Sequence, residues 1–193
     1  MAHPRMRTLL EASAHGERVR YLFFWSHRPP RDGGVGPGCL SQWWPSDFQV
    51  DGVTYPSAEH YMMAGKARLF GDEAAAEAIR TAADPAEAKA LGRRVKGFDQ
   101  EHWAAEREAI VTRGNLAKFT ADPALRDFLV GTGDRVLVEA SPVDRVWGIG
   151  RAADDELAAR PEAWRGLNLL GFVLMDVREQ LRDSNTLSRG TVR

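Results

Sequence analysis

Glu59, Met63 and Lys66 recur at intervals of four and three residues in the stretch Tyr55-Pro56-Ser57-Ala58-Glu59-His60-Tyr61-Met62-Met63-Ala64-Gly65-Lys66-Ala67. That spacing puts all three on one face of a helix. A carboxylate and an amine two turns apart, roughly 10 Å at 1.5 Å rise per residue, could flank a sugar-sized ligand and act on its glycosidic bond. Glu59 stands near the helix start, where the N-terminal dipole stabilises a carboxylate. A capping or surface glutamate fits the same periodicity, but the setting between Tyr55, Tyr61 and the methionine pair could tune its proton affinity. Lys66, facing inward, could lose its proton by desolvation and attack a sugar aldehyde carbon, or bind a phosphate; a solvated surface lysine is the plain alternative. The neighbours Glu59 and His60 point about 100° apart and make poor co-ligands, and His-Glu-x-x-His is absent, so neither a metal nor another cofactor is expected. A phosphate-binding loop is excluded too, because His60 stands where the first glycine before Gly65-Lys66 belongs.

A second cluster lies in Ser141-Pro142-Val143-Asp144-Arg145-Val146-Trp147-Gly148-Ile149-Gly150. Asp144 could hydrogen-bond ribose hydroxyls or position a water, or simply stabilise a turn after Pro142. Trp147, in a glycine-rich loop, is less readily explained by packing than Trp43, Trp44, Trp103 or Trp164, and could stack on a flat base. Gly148 could let backbone approach a phosphate. No Gly-x-Ser-x-Gly elbow is present, and the single Cys39 has no placed histidine partner.

These residues need elements to hold them. Phe48-Gln49-Val50 and Val53-Thr54-Tyr55 alternate around Asp51-Gly52, a hairpin signal that delivers the chain to Pro56 and Ser57 at the helix start. Further helices are expected after Asp72 (Glu73 to Arg80), after Asp84-Pro85-Ala86-Glu87 up to Gly92, after Asp99 through Trp103, Arg107, Ile110 and Lys118, and after Asp122-Pro123 up to Gly131. Tyr21 to Trp25 reads as a buried strand and Val136-Leu137-Val138-Glu139 as a central one. Asp154 to Arg160 reads as a surface helix. Asn168 is expected to cap a final helix striped by Leu170, Val173, Leu174, Val177 and Leu181. Residues 1–20 are polar and basic, either frayed or a short helix over Leu9 to Arg20, and 184–193 read as a disordered tail. The Gly/Pro-rich run 29–38 is a loop, either a lid or a plain insertion.

With 193 residues, 44% hydrophobic and 27% charged, the chain has the size and composition of one globular domain. A net charge of -1 argues against broad binding to nucleic acid or anionic membrane. No secretory signal or membrane span is legible, which predicts a cytoplasmic protein with no membrane partner.

Taken in order, Leu40-Ser41-Gln42-Trp43, Gly52 to Tyr61 with Lys66, Gly92-Arg93, Trp103 with Arg107, Lys118-Phe119, Glu139 with Asp144, Trp147-Gly148-Ile149-Gly150, Gly166 to Gly171, and Leu174-Met175 with Arg178 resemble the NADAR domain family, the YbiA-like fold. The resemblance covers about residues 21–182. It implies a compact, predominantly helical α+β domain with a few short strands, flanked by polar termini at 1–20 and 184–193. It also implies hydrolysis of an N-glycosidic bond between ribose and a nucleobase-like ring. Family activities include cleavage of ribosylamino-pyrimidine phosphates of riboflavin biosynthesis and removal of ADP-ribose from guanine. The implied partner is therefore a small ribosylated base or ADP-ribosylated guanine, with nucleic acid involved only as a modified-base substrate. By position the resemblance makes Glu59, Trp103, Asp144 and Trp147 active-site residues, with Lys66 a covalent or electrostatic participant. Trp43 and Gly148 join the substrate-binding set. The family commonly has Asn-Phe where Gln42-Trp43 stand, a departure that bears on recognition near the ribose. A non-catalytic module binding ADP-ribose or a similar ligand is the alternative, and the oligomeric state is open.

Overall fold

Asp51 and Gly52 take φ of 53° and 77°, the pair of left-handed conformations that a two-residue hairpin turn needs to match strand twist. They join β2 (Phe48–Val50) to β3 (Val53–Tyr55) in register, with Phe48 opposite Tyr55 and Val50 opposite Val53. Phe48, Val50 and Tyr55 are buried on one face, whereas Gln49 and Thr54 bond to each other on the wet one. This computed structural model describes residues 3–31 and 33–190.

The hairpin opens a unit spanning Gln42–Asp127 that continues through α2 (Ala58–Leu69), α3 (Glu73–Arg80), α4 (Pro85–Gly92) and α5 (Gln100–Ala121). Each helix starts on a side chain that accepts an otherwise orphaned N–H: Ser57 from His60, Asp72 from Ala75, Asp84 from Glu87, Asp99 from His102. Glu87 also reaches back to the N–H of Ala83, completing a capping-box-like exchange. α2 packs against α3, α4 and α5 and is buried on every side over Ala58 to Ala64, so it is the central helix of this unit. Its crossing with α5 is close because Gly114 faces Tyr61, where a Cβ would overlap the ring. α6 (Pro123–Gly131), begun by Asp122, leads the chain out of the unit.

The second unit is made from the chain up to Ser41 and from Phe128 onward. It holds α1 (Pro4–Ala14), β1 (Tyr21–Phe24), a short 3-10 turn at Pro37–Leu40, β4 (Val136–Glu139), another at Pro161–Ala163, and α7 (Leu169–Gly190). β1 and β4 pair in parallel, Tyr21 beside Val136 through Phe24 beside Glu139. α7 lays Leu170, Val173, Leu174, Val177 and Leu181 inward, all buried as its periodicity predicts. Its buried Arg178 donates to the Thr132 hydroxyl and to the Arg135 carbonyl, tying the helix to the segment after α6. Among the described residues, no helix is long and apolar enough to cross a membrane.

The α+β, mostly helical class is as expected, but several details differ. The first helix begins at Pro4 rather than Leu9, with Pro at its first turn and His3 as its cap. Trp25 lies beyond β1 and is 53% exposed. Residues 154–160 form turns, because Asp155 bonds the N–H of Leu157 and Pro161 has no N–H to continue a helix. α7 continues through 184–190 where a disordered tail was expected; 191–193 lie outside the described residues. Asn168 does not cap α7 with its side chain, and β4 is not flanked by two strands. Both differences have one cause: the Asn168 side chain bonds the open edge of β4.

Candidate functional site

The start of α2 is positioned by hydrogen bonds converging from both sides. Glu59 is 2% exposed, and its N–H donates to the Gln42 carbonyl at 2.9 Å. Gln42 is itself buried, and its side-chain carbonyl accepts from Asn115 Nδ2 at 2.9 Å. Asn115, fully buried on α5, donates also to the Val111 carbonyl. A Gln42–Asn115 bridge thus fixes where the first turn of α2 meets α5.

His60 braces the other side. Its Nε2 lies 3.2 Å from the Ala82 carbonyl, which can only accept, so Nε2 carries the proton and Nδ1 accepts from the Ser57 hydroxyl at 2.7 Å. Burial pushes the His60 pKa below its ordinary value despite the opposing pull of the Ala82 carbonyl, Asp84 and Glu87. His60 is therefore a neutral strut between α2 and the turn after α3.

Two turns further on, Lys66 Nζ donates to the Gly92 carbonyl at 2.8 Å, at the end of α4. It sits 4.1 Å from the centre of the Phe98 ring and 6.0 Å from that of Trp103. Phe98 packs edge-on against Phe70, which packs likewise against His102. Burial among these rings lowers the Lys66 pKa. The ring faces favour the ammonium, whereas loss of water around it favours the free amine. Lys66 and Trp103 are thus neighbours, while the half-buried Trp43 lies beside Lys89, whose Nζ is 5.9 Å from its ring.

In the other unit, Asp144, Trp147 and Gly148 share one tight turn. Asp144 Oδ1 accepts from the N–H groups of both Val146 and Trp147 at 2.8 Å, and its own N–H donates to the Ser141 hydroxyl. The carboxylate therefore shapes the turn that presents Trp147, the stabilising role weighed for it from sequence. Gly148 is glycine because a Cβ would stand 2.8 Å from the Glu139 carbonyl oxygen and against Ser141. The turn also caps α7: the N–H groups of Leu169 and Leu170 donate to the carbonyls of Val146 and Trp147.

That leaves the Asn168 side chain for other work. Val136 and Ala140 donate to Arg20 and Phe24, so the peptides of Leu137 and Glu139 face the opposite edge of β4. There Asn168 Oδ1 accepts from the Glu139 N–H and Nδ2 donates to the Leu137 carbonyl, each at 3.0 Å. One side-chain amide stands in for a neighbouring strand. Asn168 has φ of 55°, a conformation asparagine tolerates better than most residues.

Gln42, Asn115, His60 and Phe98 were not singled out as site residues from sequence. Gln42 carried a signal, since it opens the block where the family pattern has Asn; Asn115 in mid-helix carried none. Phe98 was legible only as an aromatic in a polar loop.

The NADAR domain model matches residues 23–182. A protein named N-glycosidase from Acanthamoeba polyphaga mimivirus is 40% identical over 169 residues, covering 85% of this chain and 98% of that protein. N-glycosidase YbiA of Escherichia coli is 35% identical over 138 residues, 72% of this chain and 76% of the relative. A Nostoc punctiforme N-glycosidase is 34% identical over 78% of this chain and 90% of its own length. The NMR structure of E. coli YbiA superposes with a TM-score of 0.70 at 29% identity, covering 88% of this chain and 89% of that one.

Proposed function

The chain belongs to the NADAR domain family, and from that premise we propose that it is an N-glycosidase in which the Lys66 amine and the Glu59 carboxylate act on the bond between a ribose and a heteroaromatic base. Its relatives named N-glycosidase span most of the chain and of their own lengths, and it too hydrolyses an N-glycosidic bond. One observation supports the assignment to Lys66 most directly: an amine bonded only to a backbone carbonyl, among aromatic rings, with its pKa lowered by burial. Desolvation of a lysine is one of the ways its amine is activated as a nucleophile.

In this reading Lys66 Nζ adds to C1 of the ribose as the C1–N bond to the base breaks. Glu59, two turns away along the helix, stabilises the positive charge that develops on the ribose, and the proton released from Nζ passes through water to the departing ring nitrogen. Opening of the C1–O4 bond then transfers the remaining Nζ proton to O4 and leaves an imine. Water adds at C1, the C1–Nζ bond breaks, and free sugar and amine are restored. Trp103, 6.0 Å from Lys66 Nζ, supplies an aromatic wall there. In the other unit, Asp144 is a positioning residue for Trp147, whose ring offers a stacking face for a base, and Gly148 allows the turn to close. Trp43 is kept as a substrate-binding residue on the family pattern. The substrate class is an N-ribosylated ring, either a ribosylamino-pyrimidine phosphate or ADP-ribosylated guanine, in a cytoplasmic setting.

The test is a mass-spectrometric assay of both substrate types with wild type and Glu59→Gln, alongside borohydride trapping. Base release by wild type, a loss of about 10²–10⁴-fold in Glu59→Gln, and a reduced ribosyl adduct on Lys66 are expected. Full turnover in Glu59→Gln removes that residue from the mechanism. Turnover without any adduct leaves Lys66 with only an electrostatic role. Tight ligand binding with no product from wild type would make the chain a binding module.

A further inference from the structure

The face of α2 turned away from Glu59, Met63 and Lys66 lines a cavity. At about 100° per residue, Tyr61, Gly65 and Arg68 point across the helix from those three side chains. They line a pocket of about 330 Å³ closed by the β2–β3 hairpin and by α5. Two guanidinium groups border it, Arg68 from α2 and Arg113 from α5, together with two tyrosines, Tyr55 and Tyr61. Val53 and Ile110 give it an apolar wall.

Each guanidinium has partners already: Arg68 Nε lies 3.9 Å from Glu73 Oε2 on its outer side. Arg68 Nη1 donates to the Tyr55 hydroxyl at 2.6 Å, which fixes one guanidinium and leaves the phenolic proton directed elsewhere. Arg113 Nη2 holds Asp51 Oδ1 of the hairpin turn at 2.6 Å. Burial pushes the Tyr61 pKa up, against the opposing pull of Arg113 and Arg68. The carboxylate of Asp51 thus already occupies an anion position in the pocket. Its ion pair with Arg113 is more than half exposed on both sides, and exposed pairs of this kind contribute roughly 0–1 kcal/mol, so a better anion can displace it. A phosphate offers bidentate geometry to a guanidinium, which one carboxylate oxygen on Arg113 does not use. The volume exceeds what a phosphate alone fills, and the apolar wall accommodates an organic group.

We propose that this pocket is a second ligand site, for a small phosphomonoester whose phosphate lies between Arg68 and Arg113 and whose organic part rests on Val53 and Ile110. It is separate from the Lys66 site and does not depend on the reaction assigned there.

Calorimetric titration of the full chain with phenyl phosphate and with inorganic phosphate tests it. Phenyl phosphate is expected to bind several-fold more tightly than inorganic phosphate. Binding is expected to weaken about tenfold or more in Arg113→Gln, the loss of roughly one charge-assisted contact. Asp51→Asn, which removes the competing carboxylate while tolerating the positive φ, is expected to tighten binding about two- to fivefold. Lys66→Met is expected to leave the affinity unchanged. Arg113→Gln and Asp51→Asn both change exposed side chains, so folding does not obscure the result. Undiminished affinity in Arg113→Gln, or loss of affinity in Lys66→Met, overturns the site. Equal affinity for the two probes overturns the phosphomonoester in favour of free phosphate.

Discussion

Replacing Asn168 by alanine removes the amide that substitutes for a strand along β4. The Glu139 N–H and the Leu137 carbonyl each lose a partner at 3.0 Å, beside the fully buried Leu137 and Val138. A buried backbone group left unsatisfied costs about 1–3 kcal/mol, and alanine at a φ of 55° adds roughly 1 kcal/mol of steric strain. Asn168→Ala is therefore expected to lose about 3–7 kcal/mol, a large part of a typical domain stability. Asn168→Gly forfeits the same two bonds without the strain, so it should lie about 1 kcal/mol above alanine. Asn168→Asp keeps the acceptor for Glu139 but sets a second oxygen against the Leu137 carbonyl, so it should not rescue. Urea unfolding followed by tryptophan fluorescence and far-UV circular dichroism measures the series. An alanine variant within about 1 kcal/mol of wild type, or a glycine variant less stable than alanine, would refute the account of Asn168 as a strand surrogate.

Gly114→Ala should destabilise by about 1–3 kcal/mol in chemical denaturation, because the new methyl overlaps the Tyr61 ring at the α2–α5 crossing. His60 is held neutral with its pKa below 6.5, so unfolded chain binds more protons there than folded chain. Stability is thus full above pH 6.5 and falls as pH drops toward the folded value, by up to about 1.4 kcal/mol per pH unit; His60→Gln should flatten that slope in denaturation curves taken from pH 7.5 to 5. Asp144→Ala should cost about 1–3 kcal/mol and lower kcat, whereas Asp144→Asn keeps the Oδ1 acceptor for Val146 and Trp147 and should retain most of both. A collapse of kcat in a normally stable Asp144→Asn would mean that the charge itself acts on substrate.

Local signals in the sequence carried well. Ser57, Asp72, Asp84 and Asp99 each start the helix expected of them, because a cap depends on residues within three positions of it, whereas the helix expected from Asp154 does not form. The Asp51-Gly52 turn and the α7 stripe follow from equally local rules. The sequence left Lys66 open between an inward amine and a solvated one, because Phe98, which covers it, comes from a loop 32 positions later. What stayed hidden depends on distant chain. The side chain of Asn168 looked free to cap a helix because nothing near it announces that β4, some thirty positions earlier, lacks a neighbour. Face spacing was a weak guide to α2, which is buried all round: its Glu59 and His60 are as deep as its alanines. Gln42 and Asn115 needed the folded crossing of α2 and α5 to acquire a role.

The parallel pairing of β1 with β4 also sets an order of events on the ribosome. β1 emerges about 115 residues before its partner, a wait of roughly 6–23 s at 5–20 residues per second. The stretch Gln42–Asp127 is contiguous and emerges whole in the meantime, so it can consolidate around α2 while β1 is still an exposed edge of Tyr, Leu and Phe. Nascent chains stalled before Val136 should accordingly engage holdase chaperones through their first thirty residues, and release them once β4 has been made.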